Sequence, residues 1–360
     1  MDSSSDSNSE GSYPPPLTRE ERRKEYERDP AKLSEICRSL HRYVICLGQL
    51  AYNGERSAGE IEGDMQDLGD QLIHAAKIAP PDSPWHDRLV TIVLETRERG
   101  DMMVKKRAEE DPVEFEGAIV PDGVLPWSDL PVLVQEFHDA WTKESMGFTA
   151  AERENLAVLT AKLCAVGVCP TELSRCALWL FRETLETERP LTPLPAGEGN
   201  SSSDARLSIA ELLPACREWF RHNNSKLVML SLENYNSEST KSGDGIQAAA
   251  APGHFAAEAN VTQHGFSIPR WVFWRRRFSA LYRSGNDEIA KLARACFHDI
   301  IDSGILLGLE VPGESNFSTK CREAVDNARE EIGGCDEDGV CIGMADIEID
   351  MDWAEEVETS

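Results

Sequence analysis

The densest run of side chains able to do chemistry is Arg270-Trp271-Val272-Phe273-Trp274-Arg275-Arg276-Arg277-Phe278. Arginines interleaved with indole rings can grip phosphates while the rings stack on bases, as single-strand nucleic-acid sites do. The same residues meet a plainer requirement. Trp271, Trp274, Phe278 and Leu281 recur at steps of three and four, one face of a helix. Arg275, Arg276 and Ser279 fall on the opposite face. The spacing predicts a core helix with a solvated arginine face, and nearby carboxylates supply partners for the guanidinium groups.

A second concentration lies near the C terminus, at Ala345-Asp346-Ile347-Glu348-Ile349-Asp350-Met351-Asp352-Trp353. Ile347, Ile349 and Trp353 alternate with acids. Such a pattern suits a short motif that adds a strand to a partner's sheet edge, or an activation-type segment. The simpler expectation is a disordered, solvating acidic tail.

The remaining chemistry-bearing types form no constellation. No glycine-rich phosphate loop, Gly-x-Ser-x-Gly elbow or His-Glu-x-x-His pair occurs. His74, His86 and His138 sit on predicted helices without a second histidine at metal-ligand spacing, so each reads as a surface or half-buried imidazole. Asp336-Glu337-Asp338-Gly339 resembles the middle of a calcium loop, but Gly334 and Ala345 occupy positions where that loop needs ligands. None of the ten cysteines shows Cys-x-x-Cys spacing, and Cys37, Cys164, Cys176, Cys216 and Cys296 lie in apolar helical surroundings. They read as reduced, small hydrophobes. No catalytic, cofactor or metal site is expected.

Composition narrows the partners. The 360 residues carry 64 acids against 37 bases, a formal charge of -27. That sign disfavours nucleic acid and anionic membrane surfaces as main partners. Ten of the acids, and no Lys or Arg, fall between Asp336 and Ser360. The acidic, polar start at Met1 and the lack of a long apolar run predict neither a secretory signal nor a membrane span. The expected setting is cytoplasmic and/or nuclear, and the expected partner is a protein.

Helical periodicity accounts for most of the rest. A Ser/Asp/Pro-rich disordered head is expected over residues 1–29, with Thr18 and Glu21 as a possible helix cap. Leu33, Ile36, Leu40, Val44 and Leu47 mark the first amphipathic helix. Ser57 with Glu60, Thr149 with Glu152 and Ser208 with Glu211 have capping-box spacing. Ser128 is expected to cap a helix bearing Leu133, Phe137 and Trp141, and Pro214 to kink the start of the helix that Ser208 and Glu211 cap. Residues 188–207 and 236–265, rich in Pro, Gly, Ser and Ala, read as flexible insertions. Ser267 and Asn286 open two further helices, and a weak helix is expected over Ser318–Ile332. No strand pattern is found. The sum is an all-α, irregular multi-helix bundle of roughly nine helices with disordered N- and C-terminal tails. One helical domain is expected over residues 30–309, and 310–360 is expected to hold the weak helix and the acidic tail.

Four ordered elements carry a family likeness: Trp127-Ser128-Asp129-Leu130-Pro131 leading to Trp141; Ala177-Leu178-Trp179-Leu180-Phe181-Arg182-Glu183; Leu212-Leu213-Pro214-Ala215 leading to Trp219; and Gly265-Phe266-Ser267-Ile268-Pro269-Arg270-Trp271. Over about residues 35–305 the chain resembles a fungal helical family catalogued as domain of unknown function 3632. The resemblance implies a fungal source and an α-helical domain; it implies no activity and no site residues. Three functional readings stay open. The first is a non-enzymatic interaction or scaffold protein. The second is an enzyme or small-molecule binder with a pocket walled by Trp127, Trp141, Trp179 and Trp271. The third is a transcription-associated regulator using the tail and Arg275–Arg277.

Overall fold

The structure, a computed structural model, describes Thr18, Glu20, Glu21, Lys24 and residues 32–105, 115–117, 128–193, 207–236, 250–331, 347 and 349–355. Trp127 and most of the two low-complexity stretches lie outside the described residues.

Among the described residues the class is all-α. Helix α1 (Leu33–Tyr52) buries the face that its periodicity marked, and α2 (Ala58–Ile78) and α3 (Trp85–Glu98) pack beside it. α4 (Pro131–Asp139) runs on into a π-helical turn, Ala140–Glu144. α5 (Ala150–Ala165) and α6 (Pro170–Phe181) form an antiparallel hairpin, and α6 also ends in a π-helical turn, Arg182–Glu186. The long α7 (Ile209–Leu232) is the central member, laid against α5 on one side and α10 (Asp287–Leu307) on the other. Short α8 (His254–Glu258), aromatic α9 (Ile268–Tyr282) and α11 (Glu314–Glu331) complete the set.

The helix starts follow from local chemistry. At Ser57 the backbone N–H donates to Glu60 Oε2 at 2.8 Å, while Glu60 N–H donates to Ser57 Oγ at 3.4 Å. Thr149 with Glu152 and Ser208 with Glu211 close the same reciprocal pair. Thr18 and Glu21 do so as well. Each box satisfies N–H groups that a helix start leaves without an internal partner.

Several expectations need correction. Ser128 does not cap α4; its hydroxyl donates to Asp101 Oδ1 at 2.8 Å. The helix starts instead at Pro131, whose fixed φ suits the first helical position, behind Leu130 at φ 50°. α7 runs through Pro214 and leaves helical geometry at Asn223, φ -139°. A short antiparallel ladder, β1 (Met103–Lys105) with β2 (Phe115–Gly117), falls where no strand was expected. Three residues per strand are too few to leave an alternating pattern in the sequence. Residues 250–265 were expected to belong to a flexible insertion, yet they hold α8, with Ala256 and Val261 buried. Its Ala- and Gly-rich sequence has too few large apolar side chains to show a stripe. The final helix begins at Glu314, earlier than Ser318, and buries Phe317, Cys321 and Val325.

Candidate functional site

Helix α9 is where the charged chemistry converges, on two faces. Its inner face is pinned by Arg270, which together with Glu186 has no exposed side-chain surface. Arg270 Nε donates to Glu186 Oε1 at 2.6 Å and Nη2 to Oε2 at 2.9 Å, a two-pronged pair. Trp274 Nε1 donates to Glu186 Oε1 at 2.7 Å and the Gly253 backbone N–H to Oε2 at 2.6 Å. The remaining guanidinium donors reach the carbonyls of Ala250, Gly265 and Ala251. Two buried charges survive here because their hydrogen-bonding capacity is widely used within the core. Glu186 reaches this position from the π-helical turn that ends α6. The close approach leaves no room at Gly253, where a Cβ would stand 2.8 Å from the Glu186 carbonyl oxygen.

The tryptophans stand in the core. Trp141, Trp271 and Trp274 have no exposed surface and Trp179 has little. Trp141 and Trp179 lie 6.1 Å apart, and Trp271 and Trp274 6.3 Å apart, ring centre to ring centre. Phe181 stacks on Phe220 and meets Trp274 edge-on, which ties α6, α7 and α9 together.

The outer face of α9 differs from the solvated arginine face that was expected. Arg275 is 1% exposed and Ser279 is buried; α10 packs along α9, and the Pro312 loop and the C-terminal segment close over Arg275. Arg275 Nη1 donates to the Pro312 carbonyl and Nη2 to the Ala354 carbonyl, both at 2.8 Å. Arg276 stays accessible and pairs with Glu355 at 2.5 Å. Arg277 turns the other way, donating to the Leu185 carbonyl at 3.0 Å and lying over the Phe255 ring. Arg283, just beyond α9, pairs with Asp352 at 2.6 Å and lies 3.7 Å from Asp350.

Residues 347 and 349–355 therefore depart from the solvating tail that was expected; the rest of the acidic tail lies outside the described residues. Ile347, Ile349, Met351 and Ala354 are buried, and Met351–Ala354 form one 3-10 turn. Trp353 packs against Phe317, ring centres 6.3 Å apart, and its carbonyl accepts from Asn316 Nδ2 at 2.7 Å. Alternation does the work: Ile349 and Met351 are buried while Asp350 and Asp352 face Arg283. Gly313, at φ +87°, makes the fit possible, since a Cβ there would stand 1.9 Å from the Ala354 carbonyl oxygen. The exposed pairs, Arg276 with Glu355 and Arg283 with Asp352, contribute about 0.2–1 kcal/mol each. Apolar burial and the carbonyl hydrogen bonds supply the rest.

Beneath the segment lies Glu314, 2% exposed, with no hydrogen-bond partner for either oxygen among the described residues. Burial pushes its carboxyl up to about 8; Arg275 opposes the shift and Asp302 adds to it. Burial likewise pulls the Arg275 guanidinium below its ordinary value, against the charges of Glu355 and Glu314.

Elsewhere the titratable groups are structural. His86 Nε2 meets the Ala79 carbonyl at 3.0 Å and His138 Nε2 the Glu172 carbonyl at 2.8 Å, and burial lowers both imidazoles to about 4. Both are buried, as is His74, deeper than the surface or half-buried setting expected. Burial raises the thiols of Cys37, Cys164, Cys176, Cys216 and Cys296. No group of three or more His, Cys, Asp or Glu among the described residues is placed to hold a metal ion. No helix among them is long and apolar enough to cross a membrane.

Arg275 and Arg276 of the arginine run and the C-terminal segment, far apart in sequence, are partners in the fold. Opposite charge was the available signal. Glu186 carried none, because nothing local distinguishes that residue from a surface glutamate.

A family model described as "Protein of unknown function (DUF3632)" matches residues 70–278, more than half of the chain. The chain is 28% identical over 200 residues to the "Oxopyrrolidines biosynthesis cluster protein G" of Penicillium oxalicum, covering 54% of this chain and 53% of that protein. It thus spans about half the length of that curated relative. No solved structure matches. The matched region stops at Phe278, so Arg270 falls inside it while α11 and the C-terminal segment lie beyond it.

Proposed function

The chain belongs to the DUF3632 family of proteins of unknown function, and from that premise we propose that it is a non-enzymatic interaction protein with residues 30–309 as its body. The observation that carries this reading is the seat on α9–α11, which holds a short acidic segment by side chain, charge and backbone carbonyl together. Proteins that grip short peptides use these same contacts. The buried charges support it from the other side: Glu186 and Arg270 are engaged with one another and with the core. The relative's name assigns that protein to an oxopyrrolidine biosynthesis cluster. By likeness, this chain would serve an assembly of biosynthetic proteins as a binding component. Affinity purification of the full chain at mild ionic strength, read by mass spectrometry, tests the reading. Specific protein partners are expected; recovery of none sinks it.

A cleft of about 630 Å³ favours a second reading, a small-molecule binder. It lies between α1 and the segment after α3, with Tyr52, Arg99 and Asp101 among its polar lining and Val44 and Met102 among its apolar lining. Such mixed clefts suit small ligands. A thermal-shift screen of metabolites would support this reading through a hit abolished by Arg99→Ala, and would weaken it by yielding none.

A further inference from the structure

We infer that the α9–α11 seat is a receptor for an acidic, apolar-alternating segment of a partner protein, and that residues 349–355 occupy it as a built-in competitor. The inference rests on the interaction reading and names its partner class and its regulation.

None of the contacts that hold the segment depends on its covalent connection to α11. Arg275 and Asn316 read main-chain carbonyls, of Ala354 and Trp353, which any peptide offers. Arg276 and Arg283 read carboxylates at the acidic positions. The groove takes apolar side chains at the alternate positions, where Ile349 and Met351 are buried. Gly313 removes the one side chain that would bar a carbonyl from approaching Arg275. The seat is therefore selective for a pattern, and that pattern is portable.

Arg276 and Arg283 remain 53% and 49% exposed, so an incoming segment can engage them without opening the body. The resident segment belongs to the same chain as its seat, so its local concentration is on the order of millimolar. A partner segment must outcompete that, so the resident sets a threshold. Charge selects among occupants. A second copy would bring a whole chain of charge -27, whereas a partner's segment brings only its own few carboxylates. Phosphate backbones would face the same repulsion without the apolar side chains that the groove receives.

The test adds a fluorescently labelled peptide of residues 345–358 to the full chain and reads anisotropy. In an Ile349→Asp/Met351→Asp variant, which expels the resident segment, binding should be at least about tenfold tighter than in the wild type, as removal of a tethered competitor requires. Adding Arg276→Glu and Arg283→Glu to that variant should abolish binding. Equal binding by wild type and tail variant, no binding by either, or indifference to the arginine changes overturns the inference. If the tail variant fails to fold, wild-type hydrogen exchange decides: excess unlabelled peptide should speed exchange at 349–355, and unchanged exchange overturns it. Concentration-dependent dimerisation with the same exchange signature would assign the seat to a second copy and also overturn it. Specific partners recovered by affinity purification alongside a failed peptide exchange would sink this inference alone and leave the interaction reading standing.

Discussion

At the scale of single residues, Glu186 bears more on stability than any residue that the sequence singled out. Removing it leaves Arg270 charged and unpaired where no water reaches. Glu186→Ala should cost about 3–5 kcal/mol, the usual penalty for breaking a buried pair from one side. Urea unfolding reads it, and a loss under about 1 kcal/mol would show that the pair relaxes into water. His86 and His138 set a pH limit. Their imidazoles are lowered from 6.5 to about 4 by burial. In the unfolded chain they take up protons below about 6.5, and in the folded chain only below about 4. Glu314, raised to about 8, slopes stability the opposite way, so the histidine contribution is read in a Glu314→Gln background. There it is whole above pH 6.5 and drains as pH falls from 6.5 to 4, by about 3 kcal/mol for each histidine at the bottom of the window. Denaturant midpoints at neutral and mildly acidic pH should trace that slope, and a flat profile would contradict it.

At the scale of elements, Gly265 shows how a connection is enforced. It adopts φ +76°, and a Cβ on it would stand 2.2 Å from the Tyr235 carbonyl oxygen. Gly265→Ala combines left-handed strain with a backbone clash and should cost about 2–4 kcal/mol. Gly285 has φ +78° but open space around it. Gly285→Ala should cost only the strain, about 1–2 kcal/mol. Equal losses in thermal or chemical unfolding would refute the clash. What the sequence made legible at this scale is what is local. Ser57–Glu60 and Thr149–Glu152 lie three residues apart and fix helix starts with no help from tertiary structure. The stripes of α1 and α9 name their own buried faces. Glu186 and Arg270 lie 84 residues apart, and only the packing of α6 against α9 brings them together. Ile349 and Met351 announced an alternation, but the seat that receives it is made by α9 and α11. α8 carried too little apolar surface to be seen at all.

At the scale of the whole molecule, net charge and local pairing pull in opposite directions. A chain of formal charge -27 repels itself, and salt relieves that strain. The Arg276–Glu355 and Arg283–Asp352 pairs are exposed, and salt weakens them. Raising sodium chloride from about 0.02 M to about 0.3 M should therefore raise the thermal midpoint of the body while speeding hydrogen exchange at residues 349–355. Two probes moving the same way would mean that the segment and the body are held by the same forces.

The ends of both low-complexity stretches are stitched shut. Ile209 N–H donates to the Pro190 carbonyl at 2.9 Å and Ala210 N–H to the Leu191 carbonyl at 3.0 Å. Gly265 N–H donates to the Ala250 carbonyl at 2.8 Å and Phe266 N–H to the Tyr235 carbonyl at 2.9 Å. These stitches hold the flanks of each stretch side by side. Doubling such a stretch adds only about 0.6 kcal/mol of closure entropy. An epitope or a small fluorescent reporter spliced between residues 237 and 249 should ride along with the melting temperature nearly unmoved. The molecule thus offers two ports for cargo, each closed at its base by hydrogen bonds of its own.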